Sequence, residues 1–99
     1  MDIVKQLKKI AKYAETSPGC FSIDEKNLAK VEDDINKLLK YKILENYYEK
    51  SEDIEKNINE YGTLWFVLTE KGINELKKIR DKNELSEKEY NNIIEILGR

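Results

Sequence analysis

The sequence predicts a small α+β domain, a helical core with one antiparallel β-hairpin and a further helix at the C-terminal end. Three observations predict it. Apolar residues recur at helical spacing over most of the chain, the run Thr63 to Thr69 is β-branched and aromatic as strands are, and a polar stretch separates that run from a shorter one of the same kind. With 99 residues the chain has material for one modest hydrophobic core, so residues 1–99 are read as a single domain. Its hydrophobic fraction of 39% lies under a charged fraction of 38%, which fits a packed interior with a heavily charged surface and excludes a largely disordered chain.

The first helix is expected from Asp2 onward. Ile3, Leu7, Ile10, Ala11 and Ala14 share one side, Lys5, Lys8, Lys9 and Lys12 lie between them, and Asp2 suits a helix start. Thr16-Ser17-Pro18-Gly19 stops it, since proline has no amide hydrogen and glycine admits positive φ. Cys20-Phe21-Ser22 has room for one small strand. Ser22 and Glu25 have capping-box spacing, which puts the next helix start near Ile23. From there Leu28, Val31, Ile35, Leu38 and Leu39 keep one helical phase. That pattern permits one long helix and equally two helices joined by a turn near Lys30 to Glu32.

Ile43 to Tyr48 and Thr63 to Thr69 pair naturally as a hairpin. Their connection, residues 49–62, is long and acidic: Glu49, Glu52, Asp53, Glu55 and Glu60 stand against Lys50 and Lys56. In the second strand Leu64, Phe66 and Leu68 take one face, Trp65 and Val67 the other, so both faces need cover. Thr69 is placed to cap a helix over 70–82, with Ile73, Leu76 and Ile79 inward. Ser86 and Glu89 again have capping-box spacing, flanked by a Leu85–Tyr90 staple, so the last helix starts at Glu87. It presents Tyr90, Ile93, Ile94 and Leu97 as an apolar stripe. The stripe buries against its own domain or against a second copy, and segment 84–99 is read as a dimerisation helix.

Composition excludes several classes of function. One cysteine, Cys20, forms no internal disulfide, and without histidine the usual zinc sets cannot be built, so a reducing, cytoplasmic setting fits. No signal-like segment and no run of about 20 apolar residues occurs, so no membrane partner is expected. Cys20 has no base to activate it, the acidic groups Glu32, Asp33, Asp34 and Glu52, Asp53, Glu55 lack calcium-loop spacing, and the four glycines form no phosphate loop. No catalytic residue, metal or cofactor is therefore expected. A net charge of -2 gives no global pull toward nucleic acid, and what basic charge exists is local.

Two segments resemble a known family. Ile35 to Glu45, INKLLKYKILE, resembles the end of a recognition helix running into the first wing strand of winged-helix proteins. Trp65 to Gly72, WFVLTEKG, followed by Leu76, is similar to the Y-x-L-T-x-K-G junction after the wing in MarR-like and PadR-like regulators and in small archaeal and viral winged-helix proteins. The resemblance covers about residues 20 to 80. It implies a winged helix-turn-helix fold, transcription regulation, and binding of double-stranded DNA as a homodimer, with the recognition helix in the major groove. On that reading Asn36, Lys37 and Lys40 meet the DNA, Lys30 and Lys50 are backbone contacts, and Tyr90, Ile93, Ile94 and Leu97 join two copies. The chain departs from the family in having few residues between Leu28 and Leu39 for two helices, Lys42 where glycine is favoured, and acids at Glu32, Asp33 and Asp34. The acidic wing and the many tyrosines motivate the alternative, a winged-helix protein-interaction module without DNA affinity.

Overall fold

The computed structural model describes residues 2–47 and 62–98. Within them the order is α1 (Ile3–Tyr13), β1 (Glu15–Ser17), β2 (Cys20–Asp24), α2 (Glu25–Lys40), β3 (Leu44–Asn46), β4 (Thr63–Leu68), α3 (Glu70–Asp81) and α4 (Glu87–Leu97). The class is α+β, as expected: four described helices and one antiparallel sheet in the order β1-β2-β4-β3.

The strand β1 was not expected. Pro18-Gly19 does more than end a helix: Ser17 pairs with Cys20, so these two residues are the whole loop of a hairpin. Gly19 has φ 80°, and proline before a positive-φ glycine is the type II pattern, which an L side chain at Gly19 would strain. The expected helix start near Ile23 is also corrected. Ser22 and Ile23 belong to β2, paired with Trp65 and Leu64, and both are buried. Strand pairing overrides the capping-box spacing, and the cap moves to Asp24, whose carboxylate accepts from the Asn27 amide at 2.8 Å. From Glu25 the segment runs as one uninterrupted helix to Lys40, so the alternative of two helices meeting near Lys30 falls.

The interior lies between the sheet and the helices. Phe21 and Ile23 of β2 oppose Phe66 and Leu64 of β4, and the rings of Phe21 and Phe66 sit 5.8 Å apart. Leu7 and Ile10 from α1, Leu28, Val31, Ile35 and Leu38 from α2, Leu76 from α3 and Ile93 and Leu97 from α4 close the same core. On the opposite face of β4, Trp65 and Val67 are half-buried. The α4 stripe resolves toward its own chain. Tyr90, Ile93 and Leu97 are buried in this core and Ile94 is half-buried, because α4 packs across α1 and the Leu85 staple. As they stand, the first three cannot also form the intermolecular surface expected of them.

The corner after α2 shows why TEKG follows β4. The helix ends in a Schellman arrangement, in which the Ile43 amide donates to Leu38 O at 2.9 Å and the Lys42 amide to Leu39 O at 3.1 Å. Lys42 carries φ 63°, the left-handed position where glycine is at no steric cost. Three residues of the α3 start then grip this corner. The Thr69 hydroxyl reaches Lys42 O at 2.5 Å and Ile43 O at 3.0 Å while accepting from the Gly72 amide, and Lys71 Nζ donates to Tyr41 O at 2.9 Å. Gly72 packs against the same turn: a Cβ there would lie 2.7 Å from Ile43 O. The second left-handed residue, Asn83 at φ 61°, closes α3 in the same way through the Glu84 amide to Ile79 O.

Lys42→Gly is expected to stabilise the fold by about 0.5 to 1 kcal/mol, the difference between the cost of a left-handed L-residue and the extra chain entropy of glycine. Urea denaturation with an unchanged m-value checks it, and a loss of stability would mean that the lysine side chain contributes more than its backbone costs.

Candidate nucleic-acid interface

The outer side of α2 is the place where the expected DNA contacts meet. Leu28, Val31, Ile35 and Leu38 turn inward. At 3.6 residues per turn the opposite side must then carry Lys26, Ala29, Lys30, Asp33, Asn36, Lys37 and Lys40, and each of them is exposed. Four lysines against one central carboxylate make this face cationic on a chain of net charge -2. Its length is set by the helix rise: from Lys26 to Lys40 is about 21 Å.

The acidic triplet of α2 is divided by helix geometry. Asp34 lies on the α1 side, where it accepts from Gln6 Nε2 at 3.3 Å and pairs with Lys9 Nζ at 3.3 Å. Glu32 sits at the far edge of the lysine face, and Asp33 alone stands within it. These three acids, a departure from the family in the sequence, lie in the middle of a helix that begins at Glu25 and not at a helix start.

The site residues differ in freedom. Asn36, Lys37 and Lys40 are exposed on consecutive turns. Lys30 is held sideways, with Nζ 5.0 Å from the centre of the Tyr13 ring, so part of its reach is spent on α1. Lys50 lies outside the described residues, as do Tyr48 and residues 49–61 of the acidic connection. Lys26, one turn before Lys30 on α2, joins the same row, as helical spacing allows. Sequence reasoning left out Lys71, which arrives from α3 at the C-terminal end of the row and needs the tertiary corner to be found.

The lysines of α1 are less available. Lys8 pairs with Glu89 and Lys9 with Asp34, which ties α1 to α4 and α2. Cys20 is buried, and desolvation pushes its thiol above the ordinary value, which disfavours the thiolate a nucleophile needs. Among the described residues no group of three acidic or cysteine side chains is arranged to hold a metal ion, and no helix is long and apolar enough to cross a membrane. Comparison of the chain with protein-family models, with curated proteins and with solved structures finds no match in any of the three.

Proposed function

We propose that the chain is a winged-helix nucleic-acid-binding domain that meets duplex DNA with the outer face of α2, acts as a homodimer and serves transcription regulation. The observation that carries the reading is the exposed row Lys26, Lys30, Lys37 and Lys40, with Asn36 beside it, on one continuous helix. Phosphate neutralisation by such a row supplies most sequence-independent affinity, and asparagine and lysine are the side chains that read adenine and guanine in the major groove. The order helix, strand, helix, hairpin, helix and the docking of TEKG on the α2 corner support the winged-helix part. A single helix then stands where the family places two.

As a homodimer the chain would present the lysine row of α2 twice, on a total net charge of -4 from two chains of -2. With Tyr90 and Leu97 inside the fold, the contact shifts to the groove between α1 and α4, lined by Lys8, Ala11, Lys12, Glu89, Asn92 and Ile96 over the buried Ile93. It contains both signs of charge around Ala11 and Ile96, so the patch can face its own copy across a two-fold axis.

The test is fluorescence anisotropy with a random-sequence duplex at several salt concentrations. The expected plot of log affinity against log salt falls with a slope of about -3 to -4 per chain, corresponding to four phosphate contacts. Absence of binding at low salt would overturn the reading in favour of a protein-interaction module.

A further inference from the structure

Among the described residues Tyr41 is the most exposed of the large apolar side chains, at 49%. Most of the other described rings are engaged. Phe21 and Phe66 pack on each other in the core, Tyr13 lies under Lys30, and Arg80 stands 4.3 Å from the centre of the Tyr90 ring. Tyr41 caps the C-terminal end of α2, directly beyond the lysine row. Its backbone is fixed on both sides: the amide donates to Lys37 O at 3.1 Å, the carbonyl accepts from Lys71 Nζ at 2.9 Å, and the next residue is the left-handed Lys42. An exposed ring on so rigid a support loses little freedom when something stacks on it.

The charge around it is of one prevailing sign. Lys37 is one helical turn before Tyr41, Lys40 and Lys42 flank it, and Lys71 is brought to it from α3; Glu45 and Glu70 are the exposed acids of the same corner. An exposed ring on a segment rich in lysines supplies the two parts that hold single-stranded nucleic acid, lysines that follow the phosphates and a ring that takes a base. A paired base inside a duplex does not offer its face, whereas an unpaired one does.

From this we propose that Tyr41 stacks on an unpaired base, so that the chain prefers a duplex bearing a single-stranded tail over the same duplex with blunt ends. The proposal rests on the reading of α2 as the duplex-binding face and adds to it the kind of DNA that is preferred. It differs from a contact between Tyr41 and another protein, which would give no tail preference.

The experiment compares a short blunt duplex with the same duplex carrying a thymidine tail, by anisotropy at fixed salt, for the unmodified chain, Tyr41→Ala and Tyr41→Phe. Circular dichroism establishes that each variant is folded. The expected result is an affinity about tenfold higher for the tailed duplex, lost in Tyr41→Ala and kept in Tyr41→Phe, with blunt-duplex affinity equal in all three. Equal affinity of the unmodified chain for the two duplexes, or a tail preference that survives Tyr41→Ala, overturns the stacking proposal and leaves the duplex reading standing. No binding of either duplex by the unmodified chain overturns both.

Discussion

Replacing Gly72 by alanine is expected to cost about 2 to 3 kcal/mol and to lower the midpoint of thermal unfolding by about 10 to 20 °C. Alanine is ordinarily the better helix former, so propensity alone predicts the opposite sign. Contact decides it. The added Cβ would lie 2.7 Å from Ile43 O, 2.9 Å from Leu68 Cδ1 and 3.1 Å from Ile43 Cγ2, and the nearest of these is backbone. Ile43 cannot retreat cheaply, because its carbonyl accepts the Thr69 amide at 3.0 Å and its own amide is bound to Leu38 O. Either α3 shifts away from the corner or the Schellman turn is disturbed. Differential scanning calorimetry measures the effect, and a variant as stable as the parent would show that the N-terminal turn of α3 is not pressed onto the turn at Ile43 as described.

Reversing Lys37 and Lys40 together to glutamate is expected to weaken duplex binding by about 100-fold at low salt and to reduce the salt slope by about 2, while the unfolding midpoint stays nearly unchanged. Both side chains are exposed and neither enters an ion pair among the described residues, so their charge has little part in stability. Opposing acids introduced at adjacent positions would add repulsion to the loss of two phosphate contacts. Paired measurements of anisotropy and thermal unfolding separate the two effects. Unaltered affinity in the double variant would remove α2 from the interface.

How much of this is readable without coordinates depends on the range of the interaction concerned. Ser86 caps α4 as spacing predicts, its hydroxyl accepting the Glu89 amide at 3.1 Å, and Thr69 caps α3 likewise, because a cap involves residues three apart. Ser22 obeys the same rule on paper and fails, since its backbone is claimed by Trp65, a residue more than forty positions away. Pro18-Gly19 is legible as a break, but whether the chain leaves or turns back depends on the partner that β4 gives to β2. The apolar stripe of α4 is legible as buried. Its partner is not, since helical periodicity states that Ile93 and Leu97 need cover without naming the chain that supplies it. For the candidate interface, the lysine spacing on α2 is visible in the sequence, whereas the removal of Asp34 toward Gln6 and Lys9 is visible only once α1 lies alongside.

The anchoring of α2 has a kinetic meaning. At its beginning Asp24 is paired with Thr63 and the Glu25 amide donates to Gly62 O at 3.0 Å; at its end Tyr41, Lys42 and Ile43 are gripped by Thr69 and Lys71. Both ends of the helix are thus tied to the two ends of the same strand, β4, as a rung is fixed to its rail. On the proposed reading, a face mounted in this way would need no backbone rearrangement before an encounter becomes a complex. Association would then depend on the local field of the lysine row, and the lifetime of the complex mainly on its side-chain contacts.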